Sequence, residues 1–370
     1  MGVTGPRLED AAPRPTPARR PLHKRAAHNL GGVVRAISAA ITGPRAPDRP
    51  LAAEEVERVL IVRINHRLGN TVLLTPLVRY VSTMFPRARI DVLIGEPAFG
   101  PLLQSLPGVD RVLGAPLSVL QHPLQLWRLV RKLREGYDLV IDPVGRSTNG
   151  RLASAVARSR WRLGFPPPSE WTPSEKHAAW MPLELLDRVR PDGVQPRRPR
   201  LDIALQAAEL DAGRAALAAQ LERQSIDVRE RQIVGFFVDA RGDKLLDVGW
   251  WNRWRDAMRR GSGPPALVQL LPPEGGSVVA GVASVGSRDL RAVAALLAAF
   301  DAFVSIDSGP MHLAVAAGVP TVGLFTITDP REYGPQGPHD LALRIEGLGP
   351  ERVAEAVREH VAGLPRKPAA

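Results

Sequence analysis

Residues 302–325 read AFVSIDSGPMHLAVAAGVPTVGLF. The run AFVSI has the length and apolar character of a buried strand, and it opens into a polar turn of Asp307, Ser308 and Gly309. Pro310 suits the first turn of a helix and Gly318 suits the position just past its end, so 307–318 is expected to be a turn and a helix. VPTVGLF (319–325) follows as the next strand. Gly309 lets a ligand approach the backbone, and the free N–H groups of the first helical turn suit a phosphate oxygen. His312, one turn in, can face the same ligand. The same text also fits a well-capped α/β turn with no ligand.

Working outward, strand and helix signals alternate in two blocks. The first holds RVLIVRI (58–64), the tight loop NHRLGN (65–70), a helix over TVLLTPLVRYVSTMF (71–85), then RIDVLIG (89–95) and RVLGAP (111–116). It continues with the helix QLWRLVRKLRE (125–135), the strand YDLVIDP (137–143) and a helix over STNGRLASAVARSR (147–160). The rhythm is lost from Pro166 to Pro199. It resumes with QIVGFFV (232–238), a Trp-rich helix around 249–260, ALVQLL (266–271), a short strand near 278–284 and the helix 288–300. A last helix covers 351–363. Alternation of this kind implies right-handed crossovers and parallel sheets, hence an α/β chain. Two doubly wound units joined by a linker imply a cleft beyond the carboxyl ends of their strands.

The expected divisions are a basic tail, short helix and linker over 1–55, a first Rossmann-like domain over 56–190, and a linker with a connecting helix over 191–230. A second Rossmann-like domain over 231–348 and a C-terminal helix and tail over 349–370 complete the chain. Cysteine is absent, which excludes disulfides, thiolate catalysis and Cys-ligated metal. No clustered His or carboxylate pattern calls for a metal, and no Walker loop or G-x-G-x-x-G calls for a mononucleotide or dinucleotide cofactor, so none is expected.

The net charge is +11, and residues 1–50 hold nine Lys/Arg against three Asp/Glu, a net +6. A basic tail facing an anionic surface explains this better than a nucleic-acid-binding fold, and no base-reading module is visible. Leu22, Ala26, Leu30, Val33, Val34, Ile37 and Ile41 form one helical stripe beside His23, Lys24, Arg25 and Arg35. Residues 22–41 therefore read either as a peripheral anchor on anionic lipid or as a helix packed on the body.

The segment DSGPMHLAVAAGVPTVGLF (307–325), continued by TDPREYGPQGP (328–338), resembles glycosyltransferase family 9, the ADP-heptose:lipopolysaccharide heptosyltransferase family. LIVRINHRLGNTVLLTPLVRYVSTMFPRARIDVLIGE (60–96) resembles the family's first strand-loop-helix-strand unit. The resemblance spans about 57–362. It implies a GT-B architecture of two Rossmann-like domains facing across a cleft, acceptor on the first and nucleotide-sugar donor on the second. It assigns Asp307, Ser308, Gly309 and His312 to the donor diphosphate and sugar, Lys244 to the donor phosphates with Arg241 nearby, and, more loosely, Glu274 to the nucleoside. A solvated surface charge is the alternative for Lys244. Arg67 and Gly69 belong to the acceptor loop.

One departure bears on catalysis. The family's first loop carries a Gly-Asp whose carboxylate is the general base, and here that position is Asn70. An amide orients a hydroxyl but takes no proton at physiological pH. Either His66 in the same loop substitutes, or positioning and leaving-group stabilisation suffice, or the chain transfers no sugar. Trp250, Trp251 and Trp254 stand where the family has a Trp-Pro helix start and receive no role. The expected function is inverting transfer of a sugar, a heptose by family, from a nucleoside diphosphate, ADP by family, to a hydroxyl of a cell-envelope glycan or glycolipid. The expected location is the cytoplasm, with peripheral attachment to the inner face of the membrane through 22–41. The rival is a catalytically silent scaffold of glycan assembly that keeps the donor fold.

Overall fold

The computed structural model describes residues 45–144, 147–165, 172–226, 228, 231–240, 242–261 and 263–365. The expected helix at 22–41, Arg241 and the last five residues lie outside the described residues.

The first half is built on β1 (Arg58–Arg63), β2 (Arg89–Ile94), β3 (Val109–Gly114), β4 (Tyr137–Asp142) and β5 (Ser159–Gly164), all parallel in the order β3-β2-β1-β4-β5. The central strands are buried on both faces, as their unbroken Val, Ile and Leu runs require. Helices α1 (Leu68–Val72) and α2 (Thr75–Met84) follow β1. They replace the single helix expected over 71–85, and α1 begins inside the expected loop. The break has a local cause: Pro76 has no N–H for the carbonyl of Val72, so the hydrogen-bond register restarts at Leu74. Helix α3 (Pro123–Leu133) precedes β4 and α4 (Thr148–Val156) precedes β5.

β5 corrects the expected helix over 147–160, which ends at Val156. Its SRWRLG text hides a strand because this edge position tolerates arginines, and Arg160 lies over the Trp161 ring at 3.9 Å. Within 166–199 the described structure is loops, a 3-10 turn at Met181–Leu183 and one helical turn at Glu184–Asp187. α5 (Ala207–Arg223) then leads to the second half.

The second half holds β6 (Ile233–Phe237), α6 (Val248–Met258), β7 (Ala266–Leu270), β8 (Ala283–Val285), α7 (Leu290–Ala299), β9 (Ala302–Ile306), α8 (Gly309–Ala316), β10 (Thr321–Phe325), β11 (Leu341–Arg344) and α9 (Pro350–Ala362). Its strands are also parallel, ordered β11-β10-β9-β6-β7-β8. β11 escaped the sequence reading because its four residues alternate between half-buried and exposed. Trp251 and Trp254 are fully buried against Phe236 of β6, at ring separations of 5.9 and 5.4 Å, and Trp250 packs edge-on against Trp251. The tryptophans are thus core residues.

The two halves share one apolar cluster. Val72, Leu73 and Leu102 of the first pack with Leu296, Leu313 and Ala314 of the second. Arg291 of α7 fastens the same junction. It pairs with both oxygens of Glu209 (2.5 and 2.6 Å) and donates to the carbonyls of Pro101, Ile203 and Ala204. Arg291→Ala strands these acceptors and is expected to lower unfolding free energy by about 2–3 kcal/mol, as read by urea titration.

Candidate active site

The strand orders place two reversal points on the molecule. In the first sheet the order turns between β1 and β4, and in the second between β6 and β9. Crevices for ligands form at such points, beyond the carboxyl ends of the strands. β1 and β4 end in Arg63 and Asp142, β6 leads to Lys244, and β9 leads to Asp307.

On the second half, Ser308 is extended (φ −151°, ψ 169°) and caps α8 without a side-chain bond, because its hydroxyl is shared with Ser305 Oγ at 2.9 Å. The helix starts at Gly309, one residue earlier than the sequence reading put it, with Pro310 in the first turn. The remaining first-turn N–H groups lack a side-chain acceptor and suit an anion. Asp307 is buried; it accepts from Thr328 Oγ1 at 2.7 Å and from Lys244 Nζ, which reaches it from the turn Gly242–Lys244. Lys244 is therefore half-buried and ion-paired rather than a solvated charge.

His312 Nε2 stands 3.9 Å from Asp307 Oδ1, too far for a hydrogen bond. The ring is 4% exposed, and Nδ1 has no partner among the described residues. Burial first, and the Lys244 charge after it, hold the imidazole neutral against the pull of Asp307. A buried ring nitrogen without a partner marks a place where a bound group completes the site.

From the first half, α1 brings Gly69 against α8. A Cβ on Gly69 would lie 2.7 Å from His312 Cδ2, and one on Gly309 would lie 2.9 Å from Leu68 Cβ. Only hydrogen at both positions lets the two helix starts, one from each half, meet. Asn70, the next residue, accepts from Arg63 Nη2 through Oδ1 at 3.0 Å. A guanidinium only donates, so the amide oxygen faces it and the amide NH2 is turned to other partners.

Arg67 is exposed. Its N–H bonds Asn65 Oδ1 at 2.8 Å, which tightens the loop, and His66 beside it is half-buried. Glu274 sits exposed on the turn Pro272–Gly275 after β7.

Three residues went unnoticed in the sequence. Asp142, at the carboxyl end of β4, is 5% exposed and accepts from Val144 N at 3.0 Å. Burial pushes its pKa up to about 7, against the Val144 N–H and the charges of Arg151 and Arg63. Arg63 thus links Asn70, which it bonds, to Asp142, on which its charge acts. Tyr333, from the turn Pro330–Tyr333, has its ring 6.5 Å from that of His312 and feels the charges of Arg63 and Arg67. The signal for Asp142 was present in YDLVID, an apolar strand ending in a carboxylate where sites form. No group of three or more His, Asp or Glu able to hold a metal ion occurs among the described residues.

Two parallel-sheet halves that meet at their reversal points form the GT-B glycosyltransferase architecture. Residues 277–362 match the family described as glycosyltransferase family 9 (heptosyltransferase). This match takes in 307–338, whose resemblance to the family is read from the sequence. A glycosyl transferase family 9 structure from Veillonella parvula DSM 2008 is similar with a TM-score of 0.69 and 17% identity, over 86% of this chain and 99% of that one. E. coli ADP-heptose lps heptosyltransferase II is similar with a TM-score of 0.59 and 16% identity, over 82% and 98%. E. coli heptosyltransferase WaaC with ADP follows at 0.58 and 18%, over 82% and 99%. At these identities the solved structures speak for the fold. No curated protein matches the sequence.

Proposed function

We propose that the chain is an inverting glycosyltransferase that moves a sugar from a nucleoside diphosphate to a hydroxyl of a cell-envelope glycan or lipid-linked acceptor. ADP-heptose is the first donor to test, since two E. coli structures of similar fold are described with ADP and with an ADP-heptose analogue. The observation that carries the reading is the meeting of α1 and α8 at Gly69 and Gly309, with the Lys244–Asp307 pair on one side and the Arg63-bound Asn70 on the other.

In this reading the donor diphosphate lies along the first turn of α8, where Ser308, Gly309 and Lys244 meet the charge that develops on the leaving group. The neutral His312 contributes a hydrogen bond. Glu274 and Arg241 stand as the nucleoside and phosphate contacts that the family implies. Asn70 turns its NH2 toward the acceptor oxygen and orients it. That leaves the proton to be taken by another group, and Asp142, a carboxylate that titrates near neutrality one strand away from Arg63, suits the task better than His66. The oxygen attacks the anomeric carbon from the face opposite the diphosphate, the C–O bond forms as the sugar–phosphate bond breaks, and the proton passes to the carboxylate.

The test is a thermal-shift screen of ADP-, GDP-, UDP- and dTDP-sugars followed by nucleoside-diphosphate release with and without a glycan acceptor. A bound donor raises apparent stability, and release is expected only when acceptor is present. Asn70→Asp is expected to change turnover less than about tenfold, because Arg63 would pair with the new carboxylate. A donor that binds but is never released, with or without acceptor, favours the scaffold; a rise of a hundredfold or more in Asn70→Asp shows that no native base operates.

A further inference from the structure

On the first half, four large apolar side chains remain in water. Leu117 is 70% exposed, Leu124 58%, Trp127 56% and Leu152 60%. Leu124 and Trp127 lie one turn apart on α3, and the elements that carry Leu117 and Leu152, the turn Leu117–Gln121 and α4, both pack against that helix.

Helix α3 carries two opposed stripes. At 100° per residue, Leu126, Leu129, Val130 and Leu133 fall on one side, and these are the buried or half-buried residues that face the body. Leu124, Trp127, Arg128 and Arg131 fall on the other, all exposed, with Lys132 and Arg134 on its flanks. The inward stripe already satisfies packing, so the outward one has no structural duty. Arg131 reaches back over the Trp127 ring, its Cζ 5.2 Å from the centroid. From Pro116 to Arg134 the chain holds four Lys/Arg and no Asp or Glu. Glu135, the first acid, is taken up by Arg58 and Arg111 at 3.3 and 2.9 Å.

We propose that this face of α3, with Leu117 and Leu152 beside it, docks on an anionic lipid bilayer. Leu124 and Trp127 enter the headgroup boundary, and Arg128, Arg131, Lys132 and Arg134 meet lipid phosphates. An acidic protein or a nucleic acid would satisfy the cations but leave the aliphatic side chains and the tryptophan without an apolar phase; a bilayer interface supplies both. The surface lies on the folded body. The turn Leu117–Gln121 follows β3 at the carboxyl edge of the first sheet, the edge that bears Arg63 and Asp142. A docked bilayer would therefore present a lipid-linked acceptor on the site's side; this consequence rests on the transfer reading above, and the docking does not.

The experiment uses the full chain without donor or acceptor, so its failure leaves the transfer reading intact. Sedimentation is measured with vesicles of phosphatidylcholine and phosphatidylglycerol at 3:1 and of phosphatidylcholine alone, and tryptophan fluorescence with brominated phosphatidylcholine in the mixture. Binding is expected to the anionic vesicles only. A basic side chain near such a surface contributes about a fivefold factor, so Arg128→Gln/Arg131→Gln/Lys132→Gln should weaken partition about a hundredfold. Trp127→Phe, which keeps the ring and the fold, should remove the bromine-quenched part of the emission. Residues 22–41 bind by themselves if sedimentation survives the triple substitution and Trp127→Phe leaves quenching unchanged, and that overturns the proposal. Equal binding to both vesicles overturns it, as does a concentration-dependent dimer that Trp127→Ser dissolves while vesicle binding persists.

Discussion

Asp142→Asn is expected to lower acceptor-dependent turnover by about 10²–10⁴-fold, the usual contribution of a general base, while donor affinity is unchanged. The side chain is isosteric and keeps an oxygen for Val144 N, which the native carboxylate accepts at 3.0 Å. The native profile of kcat/KM should rise with pH through about 7 as the carboxylate loses its proton, and the variant's should be flat there.

Stability carries an independent signature. The folded-state pKa of Asp142 lies above the unfolded value, so the folded chain holds a proton that the unfolded chain has already released. Its contribution is present in acid and is lost as pH rises from about 4 to about 7. Asp142→Asn should remove that fall, giving a variant less active yet relatively more stable at pH 8. A variant that unfolds more readily at every pH would indicate a structural role instead. Equal turnover of native and variant, with His66→Ala inactive, would return the role to the loop histidine.

Lys244→Ala is expected to weaken nucleoside-diphosphate binding by about 10- to 150-fold, the equivalent of a charged hydrogen bond of roughly 1.5–3 kcal/mol. Calorimetry with ADP reads it. The substitution also leaves the buried Asp307 with Thr328 as its remaining hydrogen-bond donor, so the melting temperature should fall as well. Adding Asp307→Asn removes the stranded charge and should restore stability without restoring affinity. Full recovery of affinity in the double variant would mean that Lys244 serves only to neutralise Asp307.

Much of the architecture is legible in the amino-acid sequence. Buried parallel strands announce themselves as Val, Ile and Leu runs, and helix ends are marked by local chemistry, as at Pro310 and Gly318, where Gly318 takes the left-handed conformation at φ 77°. The misreadings were local as well. Pro76 split a helix that kept its hydrophobic period, and the arginines of β5 concealed an edge strand.

The amino-acid sequence by itself determined the two alternating halves, the phosphate-suited turn at 307–309 and the absence of a carboxylate at position 70. These depend on residues a few positions apart, whose spacing sets which face is buried and which N–H groups stay free. Only the tertiary structure joined Lys244 to Asp307, Arg63 to Asn70 and Asp142, and Gly69 to Gly309. Each pairing is made where a sheet reverses its strand order or where the two halves close on each other. Strand order is settled by the packing of the whole chain, and no local spacing records it.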